Sequence, residues 1–181
     1  MLFITGSESF IGKELIKRCI KNKIKYFGVD LTSKNTKNLK KIDIRDKNIK
    51  KYIPKNSSII HLAAISKHND CNQNLSLCLD VNLRGTLNLI DAAKKKSAKN
   101  FIFASSEWVY GDIRENLLNE KSNILLDSNY SLYALSKLII EKFLINSKIF
   151  KNCNILRFGI IYGGLKKKNW SAVEQLFHNI K

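Results

Sequence analysis

The chain has 181 residues, 44% of them hydrophobic, which is enough to bury a core of ordinary size, so a single domain over residues 1–181 is expected. A formal net charge of +17 would suit a polyanion, yet the lysines are scattered among Asn and Ile, as from Lys34 to Lys41 and Lys94 to Lys99, without a basic helix or interleaved aromatics, so no nucleic-acid partner is expected. No run of about eighteen apolar residues occurs and Met1 to Thr5 carries no charged leader, so the expectation is a cytoplasmic protein with no membrane contact.

Met1 to Thr5 is a short apolar run that ends in a glycine-containing turn. Ile11, Leu15, Ile16, Cys19 and Ile20 then recur at helical spacing from Phe10 to Ile20. Lys25 to Asp30, Lys41 to Ile44 and Ser58 to His61 read as three further strands, with a short helix near Asp46 to Ile53 before Pro54. A long amphipathic helix is predicted from Leu75 to about Lys96, with Leu79, Leu83, Leu87, Ile90 and Ala93 on one buried face. Phe101 to Ala104 makes a fifth strand, Ser131 to Ser147 a second long helix, Asn154 to Phe158 a sixth strand, and Trp170 to Ile180 a last helix. Strands alternating with helices predict an α/β protein: a doubly wound parallel sheet (Rossmann fold) in three α/β/α layers.

Cys19, Cys71, Cys78 and Cys153 form no Cys-x-x-Cys pair and read as reduced, mostly buried thiols. His61, His68 and His178 have no partner at metal-ligand spacing, so no metal is expected.

Gly6-Ser7-Glu8-Ser9-Phe10-Ile11-Gly12 lies where the first strand feeds the first helix, the place where a pyrophosphate can meet helix N-terminal amides. Gly6 permits a tight turn and Gly12 a close approach of helix to strand, while Ser9 holds the middle position nearest the phosphates. A Walker loop needs four residues between its glycines and a Ser or Thr after the lysine; here Glu14 follows Lys13. Asp30, at the end of the second strand, can accept from ribose hydroxyls and would repel a 2′-phosphate, which favours NAD over NADP. Taken alone, Asp30 could equally cap a loop.

This turn resembles the Thr-Gly-x-x-Gly-Phe-Ile-Gly turn of the extended short-chain dehydrogenase/reductases, the NAD-dependent epimerase/dehydratase family, with Ser9 in place of the middle glycine. Further matches follow in order: Asp43-Ile44, His61-Leu62-Ala63-Ala64, Asn82-x-x-Gly85-Thr86, Ser105-Ser106-Glu107-Trp108-Val109-Tyr110-Gly111, Tyr133-x-x-x-Lys137 and Arg157 to Gly163. The resemblance implies that Gly6, Ser9, Phe10, Ile11 and Gly12 hold the NAD phosphates, and that Asp43 and Ile44 contact adenine. It further implies that Leu62, Ala63 and Ala64 line the cleft, that Asn82 touches the nicotinamide half, and that Tyr133 and Lys137 bind cofactor as well as catalysing.

In the mechanism it implies, Tyr133 removes a proton from a hydroxyl of a nucleotide-sugar substrate while hydride passes to NAD. Ser106 hydrogen-bonds the same oxygen. Free tyrosine titrates near ~10, so a base near neutrality needs its pKa lowered by about three units, which the ammonium of Lys137 would help to supply. Family dehydratases carry an acid and a base at the two positions after the Ser. Here these are Glu107 and Trp108, so epimerase or oxidoreductase chemistry is expected over dehydration through Glu107. Gly163 stands close to Lys181, so most of the family's carboxy-terminal substrate lobe is expected to be absent, and a non-catalytic NAD-binding protein is the alternative. The two long helices resemble the pair that forms a homodimer interface in the family.

Overall fold

The computed structural model describes residues 1–111, 117–124 and 130–163. They contain one six-stranded, wholly parallel sheet in the order β3-β2-β1-β4-β5-β6. Its strands are β1 (Leu2–Thr5), β2 (Tyr26–Asp30), β3 (Leu39–Lys41), β4 (Ser58–His61), β5 (Asn100–Ser106) and β6 (Asn152–Phe158). The helices are α1 (Phe10–Lys21), α2 (His68–Gln73), α3 (Leu75–Leu79), α4 (Thr86–Lys95) and α5 (Leu132–Ser147). The strand order reverses between β1 and β4, and at such a point the loops leaving the two strands diverge and open a crevice.

Phe3, Val29, Ile59, Phe101 and Phe103 fall in register on one face of the sheet and are buried there, and Ile4 is buried on the other, as a parallel sheet covered on both sides requires. The third strand differs from its expected place at Lys41 to Ile44. Ile42 and Ile44 are buried, but β2 ends at Asp30 opposite Lys41, so pairing stops there and the isoleucines enter the core from a loop. Their apolar character reports burial, not strand.

The expected long helix is a rod of α3 and α4 joined by a wider π-helical segment, Asp80–Gly85. The π segment takes up about one residue more per turn than an α-helix, so positions after it fall out of phase with those before it. Ile90 and Ala93 are buried and Leu83 packs partly on the core, whereas Leu79 and Leu87 face solvent, against the single buried face expected. Gly85 lies so close to Ile44 that a Cβ would stand 2.8 Å from Cγ1.

Two expectations about cysteine are corrected. Cys71 and Cys78 form a disulfide, because the chain folds back at Asn74 between α2 and α3 and brings their Cα atoms to 5.0 Å. Cys153 is an exposed free thiol on the edge strand, so of the four only Cys19 is a buried free thiol. Among the described residues no helix is long and apolar enough to cross a membrane, and no three His, Cys, Asp or Glu side chains cluster as a metal site. The helix expected from Trp170 to Ile180 lies outside the described residues.

Candidate active site

The glycine turn is built as its spacing requires. Gly6 has φ +71°, and a Cβ there would stand 2.7 Å from Ala63 N, while one on Gly12 would stand 2.3 Å from Gly6 O. Ser9 adopts ordinary extended backbone, φ −63° and ψ 166°, and its Oγ accepts from Gly12 N at 3.1 Å as the N-cap of α1. Serine is therefore unstrained at the middle position. No acidic residue occupies the first turn of α1, so the positive end of that helix is unopposed from within.

Asp30 serves as a loop cap and still lines the crevice. Its Oδ2 accepts from Glu8 N at 3.1 Å and its Oδ1 from Thr32 N and Oγ1 at 3.0 and 2.9 Å, which leaves a carboxylate lone pair for a further donor. Asp43 and Ile44 line the same cavity as Gly6, Ser9, Asp30 and Ala63. The Asp43 carboxylate is gripped by Arg45, with Nε at 3.0 Å from both oxygens, and Arg45 Nη1 reaches Asp80 at 2.7 Å. The Arg45 guanidinium holds the Asp43 carboxyl below the usual carboxylate range.

A second cavity contains Ser106, Tyr133 and Lys137 together with Phe10 and Ile11. Ser9, Leu62 and Ala64 line both cavities, so the two meet at the glycine turn, where the strand order reverses. Such a two-lobed crevice suits a ligand with two halves.

Ser131 caps α5 by accepting from Ala134 N at 3.1 Å, and one turn on Tyr133 and Lys137 project together toward the end of β5. Burial pushes the Tyr133 phenol up, and the hydrogen bond with the Ser106 side chain pulls it back in part. Lys137 is 4% exposed; its Nζ donates to Ala104 O at 2.8 Å and lies 5.7 Å from the centre of the Tyr133 ring. Burial lowers its pKa to about 8, opposed by the Glu141 carboxylate, so it remains charged at neutral pH.

Asn82 is placed differently from the expectation. It lines neither cavity: its Oδ1 accepts from Ile65 N at 2.9 Å, and its Nδ2 donates to Ile65 O at 3.0 Å and Ser136 Oγ at 3.1 Å. It clamps the loop after β4 from behind, because the π segment turns it inward.

Three groups were not foreseen from sequence. Glu141, 0% exposed, is held by Arg157 at 2.8 Å, whose Nη1 donates to Tyr110 Oη at 2.9 Å; the i, i+4 spacing from Lys137 was the available signal. His61 is buried between Thr5 Oγ1 at 2.6 Å and Thr86 Oγ1 at 2.8 Å. Trp108 and His68 form a ring pair at the cavity, a meeting that no local pattern announces.

The sequence profile described as the NAD dependent epimerase/dehydratase family matches residues 2–180. A relative from Methanocaldococcus jannaschii, provisionally named a UDP-glucose 4-epimerase, is 30% identical over 175 residues, which cover 90% of this chain and 56% of the relative. A solved structure of UDP-N-acetylglucosamine 4-epimerase from Methanobrevibacter ruminantium M1 in complex with UDP-N-acetylmuramic acid superposes with a TM-score of 0.80 at 25% identity, covering 99% of this chain and 62% of that one. The structure of MoeE5 with UDP-glucose and NAD gives a TM-score of 0.77 at 25% identity, over 90% of this chain and 55% of that one. The chain thus spans less than two thirds of the length of each of these proteins. With the crevice at the strand reversal and the motifs in order along it, the chain belongs to the NAD-dependent epimerase/dehydratase family.

Proposed function

We propose that the chain binds NAD across the two joined cavities and acts on a nucleotide-sugar as an epimerase or oxidoreductase, with Tyr133 as the proton-transfer group. The observation that carries this reading is the meeting of Ser106, Tyr133 and Lys137 in a cavity that continues past Ser9 into the glycine turn. The residues present fit a dinucleotide: the first turn of α1 contains no acidic residue, and the buried Ser105 hydroxyl in the cavity wall has no hydrogen-bond partner among the described residues. MoeE5, similar over most of this chain, holds NAD and UDP-glucose together.

Gly6, Ser9, Phe10, Ile11 and Gly12 would hold the pyrophosphate and Asp30 the adenosine ribose. Asp43 and Ile44 would face the adenine, and Leu62, Ala63 and Ala64 would form the wall between the halves. When bound, NAD supplies a hydride acceptor and, oxidised, a positively charged ring. Lys137 brings a charge beside Tyr133 that favours the phenolate, and its ammonium would also hold the second ribose. Ser106 would steady the sugar oxygen from which Tyr133 takes the proton. Dehydration is a second reading, favoured by the place of Glu107 in the same cavity, but the indole of Trp108 stands where a second proton-transfer group would be needed.

The exposed stripe of Leu135, Ile139 and Phe143 on α5, which packs against α3 and the π segment, supports a homodimer through these helices.

The test is thermal unfolding with millimolar NAD or NADP, followed by turnover of UDP-sugars. NAD is expected to raise the melting temperature, NADP to raise it less, and Asp30→Ala to weaken the NAD effect. Tyr133→Phe is expected to keep the NAD shift and lose on the order of a hundredfold or more in turnover. An NAD shift with no turnover of any nucleotide-sugar would make the chain a cofactor-binding protein, and no shift would refute the cofactor site.

A further inference from the structure

Outside the trio of Ser106, Tyr133 and Lys137, the wall of the same cavity carries a pair of aromatic rings, Trp108 and His68. Trp108, in the turn that follows β5, is 50% exposed, and its ring centre stands 5.8 Å from that of His68 with the planes 43° apart. His68 opens α2, and Asn72 Nδ2 donates to its Nε2 at 2.8 Å, so the imidazole is held from behind. Glu107 is the neighbour of Trp108 and lies over Gly159, where an added Cβ would stand 2.9 Å from its Oε2. All of these but Asn72 line the cavity that holds Tyr133.

A pyranose ring carries C–H bonds on one face and hydroxyls around its rim. An indole face takes the first and a carboxylate accepts from the second. We propose that Trp108, braced by His68, is the platform for the sugar ring of the nucleotide-sugar, and that Glu107 accepts hydrogen bonds from that ring's hydroxyls. The inference rests on the nucleotide-sugar reading above. Trp108 exchanges no proton, so its part is to hold one face of the ring and thereby fix which carbon is presented to Tyr133.

Trp108 is one of only two tryptophans, so Trp170→Phe leaves it as the sole indole reporter. The experiment titrates UDP-glucose, UDP-galactose and UDP into the NAD-loaded full chain, reading indole emission in the Trp170→Phe background and affinity by calorimetry. Both UDP-sugars are expected to change the emission, and UDP is not. Trp108→Ala is expected to bind the UDP-sugars about tenfold more weakly with UDP affinity and the NAD-induced thermal shift unchanged, and Trp108→Phe to recover most of the loss.

Equal affinity of Trp108→Ala for UDP-glucose overturns the platform. So does an emission change with UDP alone as large as with UDP-glucose, which would put the nucleobase on the indole. If Trp108→Ala loses its NAD shift through misfolding, Trp108→Phe and the emission titration decide. If the NAD-bound parent binds no UDP-sugar, the nucleotide-sugar reading fails and the platform with it; sugar binding that ignores Trp108 defeats the platform alone.

Discussion

Ser9 and His61 are two polar side chains whose roles depend on where their lone pairs go. The Ser9 hydroxyl caps α1 through Gly12 N, so Ser9→Ala is expected to cost about 1 kcal/mol in urea unfolding and Ser9→Gly only a few tenths. Equal losses in the two variants would remove the capping role. His61 is held neutral: burial first, and the charge of Lys137 second, lower its pKa to about 3. The unfolded chain takes up that proton near the ordinary value of ~6.5, so stability attributable to His61 is intact at neutral pH and falls as pH drops from there toward 3. At pH 4.5 the loss is expected to reach roughly 3 kcal/mol relative to pH 7, and His61→Gln should flatten that dependence in urea unfolding. A variant with the parent's slope would exclude His61 as its source. The Tyr-x-x-x-Lys pair was legible in the sequence because helical spacing puts both side chains on one face. Asn82 was not, because a π segment, which changes the facing of each residue after it, leaves no composition signal.

Between elements, the pair Glu141–Arg157 ties α5 to β6, and through Tyr110 it reaches the turn that follows Ser106. Glu141 has no exposed surface, so removing its partner leaves an uncompensated carboxylate in the core. Arg157→Ala is expected to cost about 3–5 kcal/mol, and a double Arg157→Met, Glu141→Met variant to recover much of it, both read by chemical unfolding. A single variant within 1 kcal/mol of the parent, on the scale of ~0–1 kcal/mol seen for surface pairs, would show that the pair is solvated. The β4 strand was readable to the residue, since an apolar run there coincides with full pairing to β1 and β5. The β3 strand was not: pairing length is set by where β2 ends, a tertiary fact. The disulfide was hidden for a related reason, because Cys71 and Cys78 meet only once the chain reverses at Asn74.

At the scale of the molecule, the alternation of strands and helices made the doubly wound sheet legible, and the order of the motifs carried the family. The apolar stripe on α5 belongs to this scale too. If the proposed homodimer forms there, Ile139→Lys, at a position now 51% exposed, is expected to convert dimer to monomer in sedimentation velocity without lowering monomer stability. A parent chain that sediments as a monomer at tens of micromolar, an ordinary working concentration for weak association, would reject it. The π segment runs from Asp80 to Gly85. A π turn holds about one residue more than an α turn, so deleting one residue there would let the rod close into an uninterrupted α-helix with α3 and α4 facing nearly as they do now. The disulfide joins α3 to α2, so with that facing kept His68 would stay beside Trp108. A reading-frame-neutral loss of one codon within the segment would thus be absorbed where it occurs, at the clamp that Asn82 makes on the loop after β4, while the mouth of the cleft keeps its shape.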